Sequence, residues 1–121
     1  MIERMVAGAN ADQLLLSKTQ FVDFAFKVAI GDDEWVVQLH KGKVSANRRT
    51  ETAVQPAFTI RADADAWEDF SRPVPPPGTH DILALFEGER LDLEGDMLVL
   101  FRNLMLVKNI LGKARRTGDA R

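Results

Sequence analysis

The sequence contains no cysteine and no tyrosine, and its only histidines are His40 and His80. Without cysteine the chain can form no disulfide, no thiolate metal site and no cysteine nucleophile. Two isolated histidines also argue against a metal site built from several imidazoles, because such sites need histidines grouped at ligand spacing. We therefore expect no metal and no other cofactor.

Long apolar runs and an excess of positive charge are also lacking. The longest uninterrupted apolar run covers residues 97–101, whereas a membrane span needs about 20 residues. No segment near the N-terminus has the apolar pattern of a secretory signal. Sixteen Lys and Arg against 18 Asp and Glu give a net charge of −2, unlike a general nucleic-acid binder. We expect a cytoplasmic protein with no transmembrane segment and no nucleic-acid partner.

The composition is that of a folded domain. The chain has 121 residues, of which 45% are hydrophobic and 28% are charged, and these values fit one domain over residues 1–121. The ends, residues 1–19 and 113–121, are the least strongly patterned. Within the first of them, helical spacing of apolar residues predicts helix, and Asn10 is a candidate cap for its second turn.

Strands are predicted where apolar and polar residues alternate. Residues 20–31, 34–40 and 43–50 alternate and are separated by short Gly-containing turns, which predicts an antiparallel meander. A fourth strand is predicted over residues 57–62. One face of this sheet is rich in large apolar and aromatic side chains.

Helices dominate the second half of the sequence. Carboxylates at the start of residues 63–70 indicate a helix N-terminus, and Asp65 with Glu68 has capping-box spacing. The proline-rich residues 72–78 form an extended connector. Thr79 is a candidate cap for a helix that ends at Gly88. Residues 91–95 then form a short strand.

The last predicted element is a long helix over residues 97–111. Its only polar residues are Arg102, Asn103, Lys108 and Asn109. A surface helix needs an apolar stripe only slightly wider than 100°, so this helix has more apolar surface than one contact with the sheet can cover.

Three arrangements would satisfy that surface. The helix could lie centrally in a dry core, a hydrophobic ligand could fill a space between the helix and the sheet, or a second protein chain or a lipid surface could cover its outer side. Basic residues within 41–49 and 113–116 leave transient membrane contact open. The pattern predicts an α+β fold: a mostly antiparallel sheet of about five strands, covered on one face by helices, with the long apolar C-terminal helix closing a hydrophobic cavity.

From about Phe24 to Leu111 the sequence resembles the sterol carrier protein type-two family of non-specific lipid-transfer domains. Residues 35–42 (WVVQLHKG) resemble the second strand and turn of the family, and residues 58–70 resemble its passage from strand to helix. Phe86-Glu-Gly88, followed by residues 91–97 (LDLEGDM), resembles the closing strand and the start of the last helix.

The resemblance implies a non-catalytic protein that binds sterols, fatty acyl chains or polyprenyl lipids in an apolar tunnel under the C-terminal helix. Accessory subunits of lipid- or quinone-processing enzymes also occur in the family. The residues expected to line the tunnel are Phe24, Phe26, Trp35, Val37, Leu39, Phe86, Leu100, Phe101, Leu104 and Met105.

Two other functions stay open. The surplus apolar surface could serve a protein-interaction or oligomerisation module, including a homodimer or a complex with a partner enzyme. A small isomerase or cyclase would need a buried acid or base among apolar walls, but the inward-facing strand positions are all apolar. Carboxylates near residue 65 need no metal, because they are expected at a helix N-terminus. His40 is interpreted as a surface side chain, and His80 as part of the cap neighbourhood in the first turn of a helix.

Overall fold

The computed structural model describes residues 1–117, so the last residues of the predicted C-terminal end, 118–121, lie outside the described part. Its sheet has five strands: β1 Phe24–Ile30, β2 Asp33–His40, β3 Lys43–Arg48, β4 Phe58–Ala62 and β5 Leu91–Gly95. Their spatial order is β3-β2-β1-β4-β5, and only the central β1–β4 pair is parallel. The predicted mostly antiparallel five-stranded sheet is therefore confirmed.

Helices precede the sheet, separate β4 from β5 and end the described chain. They are α1 Ile2–Ala11, α2 Gln13–Thr19, α3 Ala64–Phe70, α4 Ile82–Glu87, α5 Met97–Arg102 and α6 Leu104–Gly112. A short 3-10 turn, Arg49–Glu51, follows β3. The order agrees with the predicted α+β class. No helix of residues 1–117 is long and apolar enough to cross a membrane.

The two faces of the sheet differ sharply, as period-two alternation predicts. Phe26 pairs with Val37 and with Phe58, so these side chains share one face and join a single hydrophobic core with the helices. On the other face the Glu34 carboxylate lies 3.3 Å from the Lys27 ammonium and 3.1 Å from the Arg61 guanidinium. The helices therefore pack on one side only, and charged residues cover part of the other.

Aromatic contacts hold the helical layer to the sheet. The rings of Phe26 and Phe58 stack with centroids 5.3 Å apart. The buried indole of Trp67 on α3 donates a hydrogen bond of 3.0 Å to the carbonyl of Ala29 in β1 and meets Phe70 edge-on. This bond satisfies the indole N–H, which would otherwise be costly to bury.

The predicted helix caps are displaced. Asn10 does not cap α2, since its side chain bonds both backbone groups of Val44 in β3, and Asp12 caps α2 instead. Thr79 donates its hydroxyl proton to the carbonyl of Pro76, and Asp81 caps α4. In both cases a carboxylate nearer the helix takes the cap position, while the predicted residue stabilises the preceding turn or a tertiary contact.

The start of α3 differs in the same way. Asp63, rather than Asp65, accepts a hydrogen bond from the amide of Ala66 at 2.8 Å. Asp63 is the last residue before the helix and has extended backbone angles, as an N-cap requires.

The predicted single helix over residues 97–111 is divided. Asn103 departs from helical geometry, with φ −113° and ψ 21°, and separates α5 from α6. Its side-chain amide donates a hydrogen bond of 2.9 Å to the carbonyl of Val99. Asparagine competes with the helical backbone through such local bonds, which accounts for a break at this polar position.

Candidate functional site

An aromatic and aliphatic layer lies on the inner face of the sheet. Phe24 and Phe58 have ring centroids 6.2 Å apart and continue the Phe26–Phe58 stack. Phe26, Val37 and Leu39 have no exposed surface, so they contact neighbouring atoms on all sides. In this conformation the layer is close-packed at those three residues.

The C-terminal helices divide their apolar side chains between the core and the surface. Leu100 is the one buried residue of α5, whereas α6 buries Val107, Ile110 and Leu111. On the opposite side Leu98, Phe101 and Met105 are 65%, 53% and 66% exposed. We call these three residues the outer apolar stripe. The sequence prediction that this segment has more apolar surface than its own sheet covers is confirmed.

The ten predicted tunnel residues fall into three groups. The first group belongs to the hydrophobic core, in which Phe24 is partly buried and the others are buried: Phe24, Phe26, Val37, Leu39 and Leu100. The outward-facing members are Phe86, which is 48% exposed, with Phe101 and Met105. Trp35 and Leu104 are partly buried at the margin of the core.

Trp35 is oriented by polar groups. Its indole N–H donates a 3.0 Å hydrogen bond to Asp33, and the guanidinium of Arg48 lies 4.6 Å from the ring centroid. A cation over an indole face is a favourable contact. The role of all ten residues in ligand binding stays a prediction.

A groove of about 480 Å³ was missed by the sequence analysis. It lies between the starts of α2 and α4, the end of α3, and α6 with the chain that follows α6. Its apolar lining includes Phe70, Ile82, Met105 and Leu111, and its charged lining includes Asp12, Asp81, Lys108, Lys113 and Arg115. The available signal was the basic segment after the last helix, but positive charges are expected there in any case because they complement the negative end of the helix dipole.

Two ion pairs fix the walls of this groove. Lys113 lies 2.7 Å from Asp12 at the start of α2, and Lys108 lies 3.0 Å from Asp81 at the start of α4. Arg115 donates hydrogen bonds to the carbonyls of Phe70 and His80. His80 precedes α4 rather than belonging to its first turn, and its side chain is mostly exposed.

Both carboxylates in the groove are held in the charged form. Burial raises the pKa of Asp81, but the Ala84 amide and the Lys108 ammonium together outweigh that effect and lower it. For Asp12, the hydrogen bond from Lys113 and then the Leu15 amide lower the pKa below its usual value. Stabilisation of the charged form by donors is the common cause.

Comparison with known proteins finds no matching protein-family profile and no matching curated protein. Solved structures do match. A crystal structure of sterol carrier protein 2 has a TM-score of 0.69 at 16% identity, covering 96% of this chain and 94% of the other. The fold is that of sterol carrier protein 2.

Two further structures share the sterol carrier protein 2 fold. A conserved hypothetical protein from Thermus thermophilus, suggested to be a sterol carrier protein, has a TM-score of 0.66 at 17% identity and covers 94% of this chain and 85% of its own. Palmitated SCP2L2 from Aedes aegypti has a TM-score of 0.55 at 19% identity, with coverage of 87% and 89%. At these identities the likeness establishes the fold, in agreement with the resemblance seen in the sequence.

Proposed function

We propose that this protein binds a hydrophobic ligand of the sterol, fatty acyl or polyprenyl class, without catalysis, between the sheet and the C-terminal helices. The observation that carries the proposal is how the apolar side chains of α5 are divided between the core and the surface. Leu100 is the one buried residue of this helix and Met97 and Val99 pack partly buried against the core, while Leu98 and Phe101 leave apolar surface outside. The sterol carrier protein 2 fold and the palmitated relative support the same class of ligand.

The helix α5 has the attachments expected of a lid. At its start the Asp96 side chain accepts hydrogen bonds from the amides of Leu98 and Val99, and the Asp96 amide bonds the carbonyl of Ala57 at 2.8 Å. At its end the non-helical Asn103 separates it from α6. Displacement of Leu100 would therefore lift α5 between two defined points, without unpacking α6.

The ligand would replace the contacts that Leu100 makes in the closed state. Phe24, Phe26, Val37 and Leu39 would meet it from the sheet. Burial of apolar area contributes about 25 cal/mol per Å², so an acyl or sterol body would offset the loss of the leucine contacts. Phe101, Leu104 and Met105 would then line the path to the surface.

The proposal is tested with a fluorescent fatty acid and with native mass spectrometry of protein purified from cells. We expect saturable binding by the purified protein and co-purified lipid in the mass spectrum. Leu98→Ser combined with Phe101→Ser should weaken binding by about tenfold or more, because both side chains belong to the outer apolar stripe at the end of the path.

Val74→Ser is the matched control. Val74 is 84% exposed in the proline-rich connector before α4, so its replacement also removes exposed apolar surface. Binding should be unchanged in this variant. A lipid-free mass together with no dye binding by the unaltered protein would contradict the proposal.

A second candidate is a protein-interaction module, and the same outer apolar stripe favours it. Exposed clustered apolar residues are typical of protein interfaces. Under this hypothesis the stripe is covered by a second copy of the chain or by an accessory enzyme partner. Light scattering at micromolar concentration distinguishes a homodimer, which Phe101→Ser should dissociate, from a monomeric lipid binder.

A further inference from the structure

The groove among α2, α4 and α6 has the size and lining of a small-ligand site. Its volume of about 480 Å³ lies within the range of about 300–1,000 Å³ that is usual for ligand pockets. Apolar atoms of Phe70, Ile82 and Leu111 contribute to its lining. Gly112 also lines it, and a Cβ built at this glycine would meet no atom within 4 Å. The groove is therefore open beside the end of α6.

The charges of the groove favour a negatively charged group. Lys108, Lys113 and Arg115 supply three positive charges, while Asp12 and Asp81 supply two negative ones, which leaves an excess of one positive charge. Each carboxylate is already paired with one lysine. A lysine ammonium has three donor protons, so a single carboxylate contact leaves donors for a ligand oxygen.

Arg115 supplies the excess charge in a fixed position. Its guanidinium lies 5.1 Å from the ring centroid of Phe70 and donates to the carbonyls of Phe70 and His80. Within residues 1–117 no carboxylate forms an ion pair with it. An ordered guanidinium whose hydrogen bonds go to neutral carbonyls keeps its charge available to an anion.

Met105 connects this polar groove to the outer apolar stripe. It lines the groove and is 66% exposed. One helical turn after it come Lys108 and Asn109, and one turn before it, across the break at Asn103, comes Phe101. Within α6, residues three or four apart share a helix face, so Met105 lies beside Lys108 and Asn109. This surface is therefore basic at Lys108 and apolar at Met105, and the exposed Phe101 precedes it at the end of α5.

We propose that this groove binds the carboxylate headgroup of a single-chain anionic amphiphile, whose apolar chain leaves the groove at Met105 towards Phe101. The inference rests on the proposed hydrophobic-ligand function and narrows its ligand to long-chain carboxylates. An uncharged sterol or alcohol would leave the basic end of the surface unused. A long-chain carboxylate would place its charged group at the basic end of this surface and its apolar chain at the other end.

The test compares dodecanoate with 1-dodecanol, which has the same chain length and no charge, at concentrations below micelle formation. Binding is measured by calorimetry and by chemical-shift changes of the backbone amides of residues 108–113. The structure predicts that dodecanoate binds at least about tenfold more tightly and shifts these amides. Dodecyltrimethylammonium, which has the opposite charge, should bind more weakly than the alcohol.

Asn109 offers a matched pair of variants. It lines the groove, is exposed, and lies within α6, where Glu and Lys are both good helix formers. Asn109→Glu adds a negative charge and should weaken dodecanoate binding about tenfold, while Asn109→Lys should tighten it severalfold. Binding of 1-dodecanol, which carries no charge, should not differ between the two variants. Equal thermal unfolding temperatures would show that both variants remain folded.

The possible results separate the two proposals. Equal affinity for dodecanoate and 1-dodecanol, with no effect of either Asn109 variant, would overturn the headgroup site and leave hydrophobic-ligand binding intact. Failure of both amphiphiles to bind would overturn the headgroup site, and it would overturn the hydrophobic-ligand proposal as well only together with a lipid-free mass and no dye binding by the unaltered protein. Binding to vesicles containing anionic lipid but not to monomeric dodecanoate would assign the surface to a membrane and overturn the headgroup site.

Discussion

The substitution Leu100→Ala tests how α5 is held to the sheet. Leu100 has no exposed surface and is the one buried residue of its helix. The change removes three carbon atoms, which cost about 0.8 kcal/mol each in lost burial. The cavity left behind adds further loss, and fully buried leucines generally lose about 3–5 kcal/mol. We expect a loss of about 3 kcal/mol in the free energy of unfolding.

The matched control is Leu98→Ala, two residues earlier in the same helix. Leu98 is 65% exposed, so the same chemical change should alter the free energy of unfolding by less than about 0.5 kcal/mol. For a chain of 121 residues, a loss of about 3 kcal/mol corresponds to a fall of about 12 °C in the unfolding temperature. Urea titration should show a lower midpoint with an unchanged slope.

Hydrogen exchange adds a local measurement to the same variant. The amides of Met97–Arg102 should exchange faster in Leu100→Ala relative to those of Leu104–Gly112, because Val107, Ile110 and Leu111 still bury α6. Equal losses in the Leu100 and Leu98 variants would refute the view that Leu100 is the main anchor of α5. So would a uniform rise in exchange across both helices.

Two further predictions concern stability. The lowered pKa of Asp81 implies stabilisation that is present above its unfolded pKa of 3.8 and is lost as pH falls through the folded value. Asp81→Asn keeps a cap acceptor but loses the charge pair with Lys108. The difference in unfolding free energy between this variant and the unaltered protein should therefore shrink below about pH 4 in acid titrations. A difference that stays constant with pH would contradict this. Gly95 has φ 99°, and an added Cβ would lie 2.8 Å from the carbonyl oxygen of Ala57, so Gly95→Ala should cost more than about 2 kcal/mol. Gly112→Ala is the control in open space and should stabilise by up to about 1 kcal/mol; similar effects of the two alanines in chemical denaturation would disprove the close-approach argument.

The break at Asn103 shows why the C-terminal segment was predicted only in part. Hydrophobic periodicity identified its helical character and its excess of apolar surface. It could not locate the break, because asparagine occurs within helices as well as at their ends. Whether Asn103 continues the helix or interrupts it depends on whether its side chain bonds the carbonyl of Val99, and that bond is formed only in the folded backbone.

The groove could not be predicted from the sequence for a different reason. Its ion pairs join residues far apart along the chain, such as Asp12 with Lys113. Composition and local spacing give no information on which surface charges meet. The sequence therefore indicated basic residues at the C-terminal end, but their convergence with α2 and α4 depends on how those helices pack.

The amino-acid sequence alone determined the strands, most helices, the apolar inner sheet face and the likeness to lipid-transfer domains. Alternation of side chains records which face of a strand is buried, and that signal is local. Only the tertiary structure decided the parallel pairing of β1 with β4, the division of the last helix and the basic groove beside Met105. The strand pairing and the groove arise from contacts between distant segments, which no local periodicity specifies, and the break at Asn103 depends on the hydrogen bond that its side chain makes in the folded chain.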